Sequence, residues 1–145
     1  MKEKILFFLL ILPTFLFSQI ENRTAITLGI FQGGGSLVGA DLEVLLTPRL
    51  GIQGGAGLFG YGGALTFHLR PEIRSSMIAA TYWHQGFGEG FTQDALGASF
   101  IYRGKKWFTA QLGLAATLNE GPAWPDGVEH PPVILLYSVG VYLVP

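Results

Sequence analysis

Cysteine is absent from all 145 residues. Its absence excludes a disulfide scaffold, a thiolate metal site, a cysteine nucleophile and an amino-terminal lipoprotein anchor. Charge is also scarce: 9 Lys and Arg stand against 10 Asp and Glu, 13% of the chain. That balance lacks the basic excess that binding to nucleic acid demands, so no nucleic-acid partner is expected. Beyond residue 19 no apolar run approaches the ~20 residues of a spanning helix. What is plentiful is apolar side chain, 49% of the chain, together with 21 glycines. High apolar content with little charge argues against disorder, and the glycines argue against a helical bundle. The length suggests one domain.

The first nineteen residues read as an address rather than as structure. Lys2 and Lys4 precede the run Ile5–Leu12; Pro13-Thr14 interrupts it, and Phe15-Leu16-Phe17-Ser18-Gln19 follows. A short basic segment, an apolar run of sub-spanning length and a small residue at its end make a secretory signal, with cleavage near Ser18 or Gln19. Residues 20–145 then carry 7 basic and 9 acidic residues.

In that remainder the apolar residues recur with period two between turn residues, the pattern of strands. Eight segments are expected, each near the ~9–11 residues of a tilted membrane strand. They run Thr24–Gln32, Leu37–Leu46, Leu50–Phe59, Tyr61–Arg70, Ser76–Gly86, Thr92–Arg103, Trp107–Leu118 and Val133–Val144. The second alternates most clearly, with Val38, Ala40, Leu42, Val44 and Leu46 opposite Gly39, Asp41 and Glu43. The fifth leaves its facing open, because Met77, Ala79, Thr81 and Trp83 compete with Ile78, Ala80 and Tyr82. Gly33–Ser36 is expected to be a simple turn. Eight antiparallel strands on short connections suit a closed up-and-down barrel, which has no sheet edges.

The composition of the two faces says which side meets which solvent. One face is bulky and apolar; the other is Gly, Ala, Ser and Thr with few charges. A soluble barrel would show Lys and Glu outside, whereas glycine fits the crowded interior of eight strands. The expectation is therefore an all-β transmembrane barrel, apolar outward and small-polar inward. All seven basic residues after the signal fall at one end: Arg23, Arg49, Arg70, Arg74, Arg103, Lys105 and Lys106. The other end has Glu89, Glu120, Asp126 and Glu129, with Asp94 near it, and the longest loop, 119–132. Phe59, Tyr61, Trp83, Phe87, Phe91, Tyr102, Trp107 and Trp124 lie near segment ends, as interfacial girdles require.

With its signal segment, its eight dyad-repeat segments and its final strand Val133-Ile134-Leu135-Leu136-Tyr137-Ser138-Val139-Gly140-Val141-Tyr142-Leu143-Val144, the chain resembles the small eight-stranded outer-membrane barrels of Gram-negative bacteria, the OmpA/OmpX-like group. The resemblance covers residues 20–145 and implies the cell outer membrane as location, with outer-membrane lipid and the barrel-assembly machinery as partners. Barrels of this kind commonly end in an aromatic residue; this one ends Tyr142-Leu143-Val144-Pro145.

The chemistry-bearing residues are few. Gly55-Ala56-Gly57-Leu58-Phe59-Gly60 matches a dinucleotide fingerprint but leads into a strand rather than a helix. Asn22-Arg23-Thr24 matches a glycosylation acceptor by coincidence. The inward face gathers Asp41, Glu43, Gln53, Thr66, His68, Thr109, Gln111 and Ser138. Asp41 and Glu43 project alike, and a buried carboxylate needs a partner. Both are expected to pair with a rim arginine, Arg49, Arg70 or Arg103; the alternative is a narrow polar-solute or cation pathway, or a small-ligand site, in the lumen. Some barrels of similar architecture modify lipid A acyl chains through a Ser–His pair with an acid. Here His84 has no serine two residues away, so no residue is assigned a catalytic role. No cofactor is expected, and no cluster has metal-ligand spacing. The function expected is structural, adhesive or surface-interacting through the outer loops. Loop 119–132 is the surface for a partner, with Trp124 as exposed anchor beside Asp126, Glu129 and a solvated His130; the competing reading is a proline-stiffened cap.

Overall fold

A computed structural model of the chain describes residues 22–145; the signal segment expected over residues 1–19 lies outside them. Eight strands follow one another: β1 Thr24–Ile30, β2 Gly39–Leu45, β3 Leu50–Gly57, β4 Gly60–His68, β5 Met77–Gln85, β6 Gln93–Arg103, β7 Phe108–Glu120 and β8 Val133–Leu143. Each pairs antiparallel with the next, and β8 returns to β1, closing an all-β barrel in strict sequence order. Every backbone ladder therefore finds a partner, and no edge is left to template aggregation.

The two faces divide as the alternation requires. Ile26, Leu28 and Ile30 of β1, Leu42 of β2, Leu65 and Phe67 of β4 and Leu112 and Leu114 of β7 point outward and are exposed. Inside, Thr27, Asp41, Glu43, Thr66, His68, Thr109 and Ser138 are buried. The molecule is inside-out relative to a water-soluble protein, in which exposed apolar patches are small. β5 resolves its ambiguity with Met77, Ala79, Thr81 and Trp83 inward and Ile78, Ala80, Tyr82 and His84 outward. Its β6 neighbours dictate this, since Trp83 packs with Ala95 of β6, Ala115 of β7 and Leu136 of β8. Trp83 is therefore a core residue and not part of an aromatic girdle.

Gly33–Ser36 is not a simple turn. Gln32–Gly35 folds back into the mouth of the barrel, with Gln32, Gly33 and Gly34 buried. Phe31, Gly33, Gly34 and Gly35 all take positive φ, between 60° and 81°. Three successive glycines permit this left-handed path, which side-chain-bearing residues resist. They also let the segment press on backbone: a Cβ on Gly33 or Gly34 would collide with the main chain of Ala56 or Tyr61. The segment is a plug, and β1 stops at Ile30 to form it.

The wall is uneven in height. β6, β7 and β8 have 11, 13 and 11 residues, against 7 each for β1 and β2. The tall side carries the long connection from β7 to β8. Near its top β7 holds one extra residue, because Asp94 pairs with Asn119 while Ala95 pairs with Thr117.

Candidate functional site

Three groupings of polar side chains emerge from this frame. The first closes the lumen at the end where β1 begins and β8 finishes. Glu43 Oε1 accepts from Thr66 Oγ1 at 2.6 Å and lies 3.0 Å from His68 Nε2. Its Oε2 lies 2.7 Å from Arg103 Nη2, an ion pair rather than an aligned hydrogen bond. Both partners are about 1% exposed. Arg103 also donates to the carbonyl of Ile73, which the β4–β5 turn pushes inward against Ala25 and Leu45. Its guanidinium lies 5.0 Å from the centre of the Tyr142 ring, a cation–π arrangement, and the Tyr142 hydroxyl donates to the Gly104 carbonyl. Tyr142 is thus fully buried near the end of the last strand.

Of the rim arginines, only Arg103 turns inward. Arg49 donates to the Leu69 carbonyl, and Arg70 pairs with Glu72 on the exposed rim. The expectation that both lumen acids pair with arginine holds for Glu43 and fails for Asp41. Asp41 sits toward the opposite mouth, where its carboxylate accepts one long hydrogen bond from Gly33 N at 3.4 Å. Arg103, at the far end of β6, reaches Glu43, and no arginine is ion-paired with Asp41 among the described residues.

Between these layers a hydrogen-bonded chain crosses the lumen. Thr81 and Ser99 share a bond of 2.9 Å, Gln111 Nε2 donates to Ser99 at 2.8 Å, Ser138 donates to Gln111 at 3.2 Å, and Gln32 of the plug donates to Ser138 at 2.9 Å. The chain ties β5, β6, β7, β8 and the plug together. Gln53 lies beside Asp41 on a cavity of about 20 Å³ beneath the plug. A space of that size holds about one water. The lumen is closed at one end by the Glu43–Arg103 layer and at the other by Gln32–Gly35.

The second grouping is outside the barrel, on the tall wall, and the residue pattern did not assemble it. His84 of β5 is paired in register with Asp94 of β6, and its Nδ1 is hydrogen-bonded to the Asp94 carboxylate. Tyr82 donates to the same carboxylate at 3.0 Å and Asn119 at 3.1 Å. The His84 ring is stacked between Tyr61 at 4.5 Å and Phe91 at 4.9 Å. The extra residue in β7 accounts for Asn119: strict alternation after Leu114, Ala116 and Leu118 would turn it inward, and the bulge re-aims it. No serine or threonine hydroxyl bonds to His84 among the described residues; Ser99 and Ser138 are both committed inside the lumen. The His–Asp pair therefore lacks the nucleophile of an acyl-hydrolase triad.

The third grouping is the loop between β7 and β8. Trp124 is not an exposed anchor. Its Nε1 donates to the Val128 carbonyl at 2.9 Å, and its ring lies 4.2 Å from that of His130. His130 is likewise half-buried rather than solvated. The loop folds on these two rings and leaves Asp126, Val128 and Glu129 on its exposed side. Backbone bonds from Gly121 to Thr92 and from Ala123 to Phe91 fasten its near end to the wall.

No family model, curated protein or solved structure matches the chain. Among the described residues no group of three or more His, Cys, Asp or Glu is placed to hold a metal ion.

Proposed function

We propose that the chain is an exported outer-membrane barrel of the OmpA/OmpX-like kind, from a Gram-negative cell envelope, with a structural or surface-interaction role carried by its outer loops. The observation that carries this reading is the outward face. Leu28, Leu42, Ile52, Leu65, Phe100, Leu114, Leu135 and Val139 are each 44–66% exposed. An apolar wall of this extent is costly in water and favourable in hydrocarbon. Separation of the charges supports it, since the basic residues gather at the end where β1 begins and β8 finishes, with Glu72 the one acid in the turns there, while Glu89, Glu120, Asp126 and Glu129 lie at the other. The closed lumen supports a non-conducting barrel over a solute pathway. The self-packed loop after β7 supports a preformed contact surface, with Asp126, Val128 and Glu129 facing a partner and Trp124 holding the loop in shape.

Membrane fractionation with gel mobility tests the first half. An outer-membrane barrel pellets with the envelope and migrates differently before and after boiling; a soluble protein with no heat shift overturns the reading. Replacing residues 121–131 by a short glycine linker tests the second half. The shortened barrel should keep its heat shift and lose adhesion or surface recognition. Unchanged surface behaviour would assign the loop to capping alone.

A further inference from the structure

The lumen does not balance its charge. Among the described buried residues the charged groups are Asp41, Glu43 and Arg103, with His68 beside them. Glu43 and Arg103 neutralise each other. Asp41 is 8% exposed and has no ion-pair partner among the described residues; it accepts a bond of 3.4 Å from Gly33 N, and the Gln53 side chain lies against its carboxylate. Gln53 Oε1, on the neighbouring strand, is buried without a hydrogen-bond partner. Asp41 and Gln53 both line the cavity of about 20 Å³ beneath the plug. The other polar groups on that cavity are spoken for: Thr81 bonds to Ser99, Gln111 to Ser99 and Ser138, and Gln32 to Ser138.

A buried carboxylate without a counter-charge is strongly unfavourable, and an unpaired carbonyl oxygen beside it adds to the cost. One small cation answers both, because alkali and alkaline-earth ions take oxygen ligands. We propose that the Asp41 carboxylate and Gln53 Oε1 form a site for a single monovalent metal cation of the sodium or potassium class. A monovalent ion balances the one carboxylate. A divalent ion would leave a surplus charge in a closed space and would have to give up water that it holds tightly. The cavity volume excludes organic cations. The site is bounded by Gly33 and Gly34 of the plug, so the bound ion also fixes the plug to β2 and β3. This inference rests on the lumen alone and is independent of what the outer loops contact.

Thermal unfolding of the full chain, folded in detergent micelles, tests it. Chloride salts of Na⁺, K⁺ and N-methylglucamine are compared at equal ionic strength. In the wild type the folded-to-unfolded ratio should rise with Na⁺ or K⁺, approaching tenfold per tenfold increase in the ion above half-saturation, and stay flat in N-methylglucamine. Asp41→Asn should remove the dependence. Gln53→Leu, which keeps the carboxylate, should move the response to higher ion concentration, and it serves where Asp41→Asn fails to fold. Identical melting of the wild type in all three salts would overturn the proposal, leaving Asp41 as a neutral acid or a water-held one. Persistence of the ion response in Asp41→Asn would also overturn it, placing the effect on exposed loop acids. A response in N-methylglucamine equal to that in Na⁺ would reduce it to ionic strength and overturn it too.

Discussion

Arg103 leaves the exposed rim where its neighbours Lys105 and Lys106 remain and spends its guanidinium on Glu43, the Ile73 carbonyl and the Tyr142 ring. Removing it strands Glu43 in a buried layer with only Thr66 and His68 for company. Arg103→Ala should therefore lose about 3–5 kcal/mol of stability, the usual result of breaking a buried pair from one side. The double change Glu43→Gln with Arg103→Met should lose far less, because both charges vanish together. Urea titration in micelles of Arg103→Ala and of the double variant measures the difference. A double variant as unstable as Arg103→Ala would refute the pairing as the source of the loss. Trp83 tests a second residue-scale assignment. If it is core packing against Ala95, Ala115 and Leu136, Trp83→Ala should cost about 3–5 kcal/mol in the same titration. A girdle residue on the outer face would cost much less.

At the scale of elements, the plug and the β7–β8 loop make separate predictions. The plug needs glycine at 33–35 for positive φ, and at 33 and 34 also for its approach to the β3 and β4 backbones. Gly34→Val should expel it, which limited proteolysis would read as new cleavage between residues 31 and 37 while the barrel keeps its strand signal. Continued protection there would mean that the segment tolerates a side chain and is not wedged. The β7–β8 loop folds on Trp124 and His130. Trp124→Ala should open residues 122–131 to protease with little change in barrel melting, because the loop is fastened at its near end by backbone bonds from Gly121 and Ala123. Much of this was out of reach of the residue pattern. A Gly-Gly-Gly-Ser run reads as a turn whether it points outward or folds inward. The facing of β5 was equally illegible, since apolar residues occupied both of its registers and the neighbouring wall had to decide.

For the whole molecule, the outward apolar face makes the strongest demand. Leu114, at the middle of β7, is 59% exposed. In a bilayer Leu114→Arg should cost about 2–4 kcal/mol, the midplane value for arginine on the outer wall of a barrel. Folding titrations in lipid vesicles measure it, and a neutral result would place that face in water. The charge separation, the strand count and the alternation were all legible in the chain, because a barrel wall repeats every two residues and each segment states its facing locally. The polar network was legible only as membership: Asp41, Glu43, Gln53, Thr66, His68 and Gln111 do face inward, but which of them pair was not.

The sequence by itself determined the eight strands, the small-polar interior and the bulky apolar exterior, because period-two patterning is a local property of the backbone. Tertiary structure decided the rest. Arg103 rather than Arg49 or Arg70 reaches Glu43, because the end of β6 aims it inward. Asp41 is left without a counter-charge, because the plug and not an arginine covers that mouth. Tyr82, His84, Asp94 and Asn119 meet on the outer wall because one extra residue in β7 turns Asn119 around. Each depends on where a closed sheet brings distant strands and on how its ends are filled, and neither is written in the spacing of any one segment.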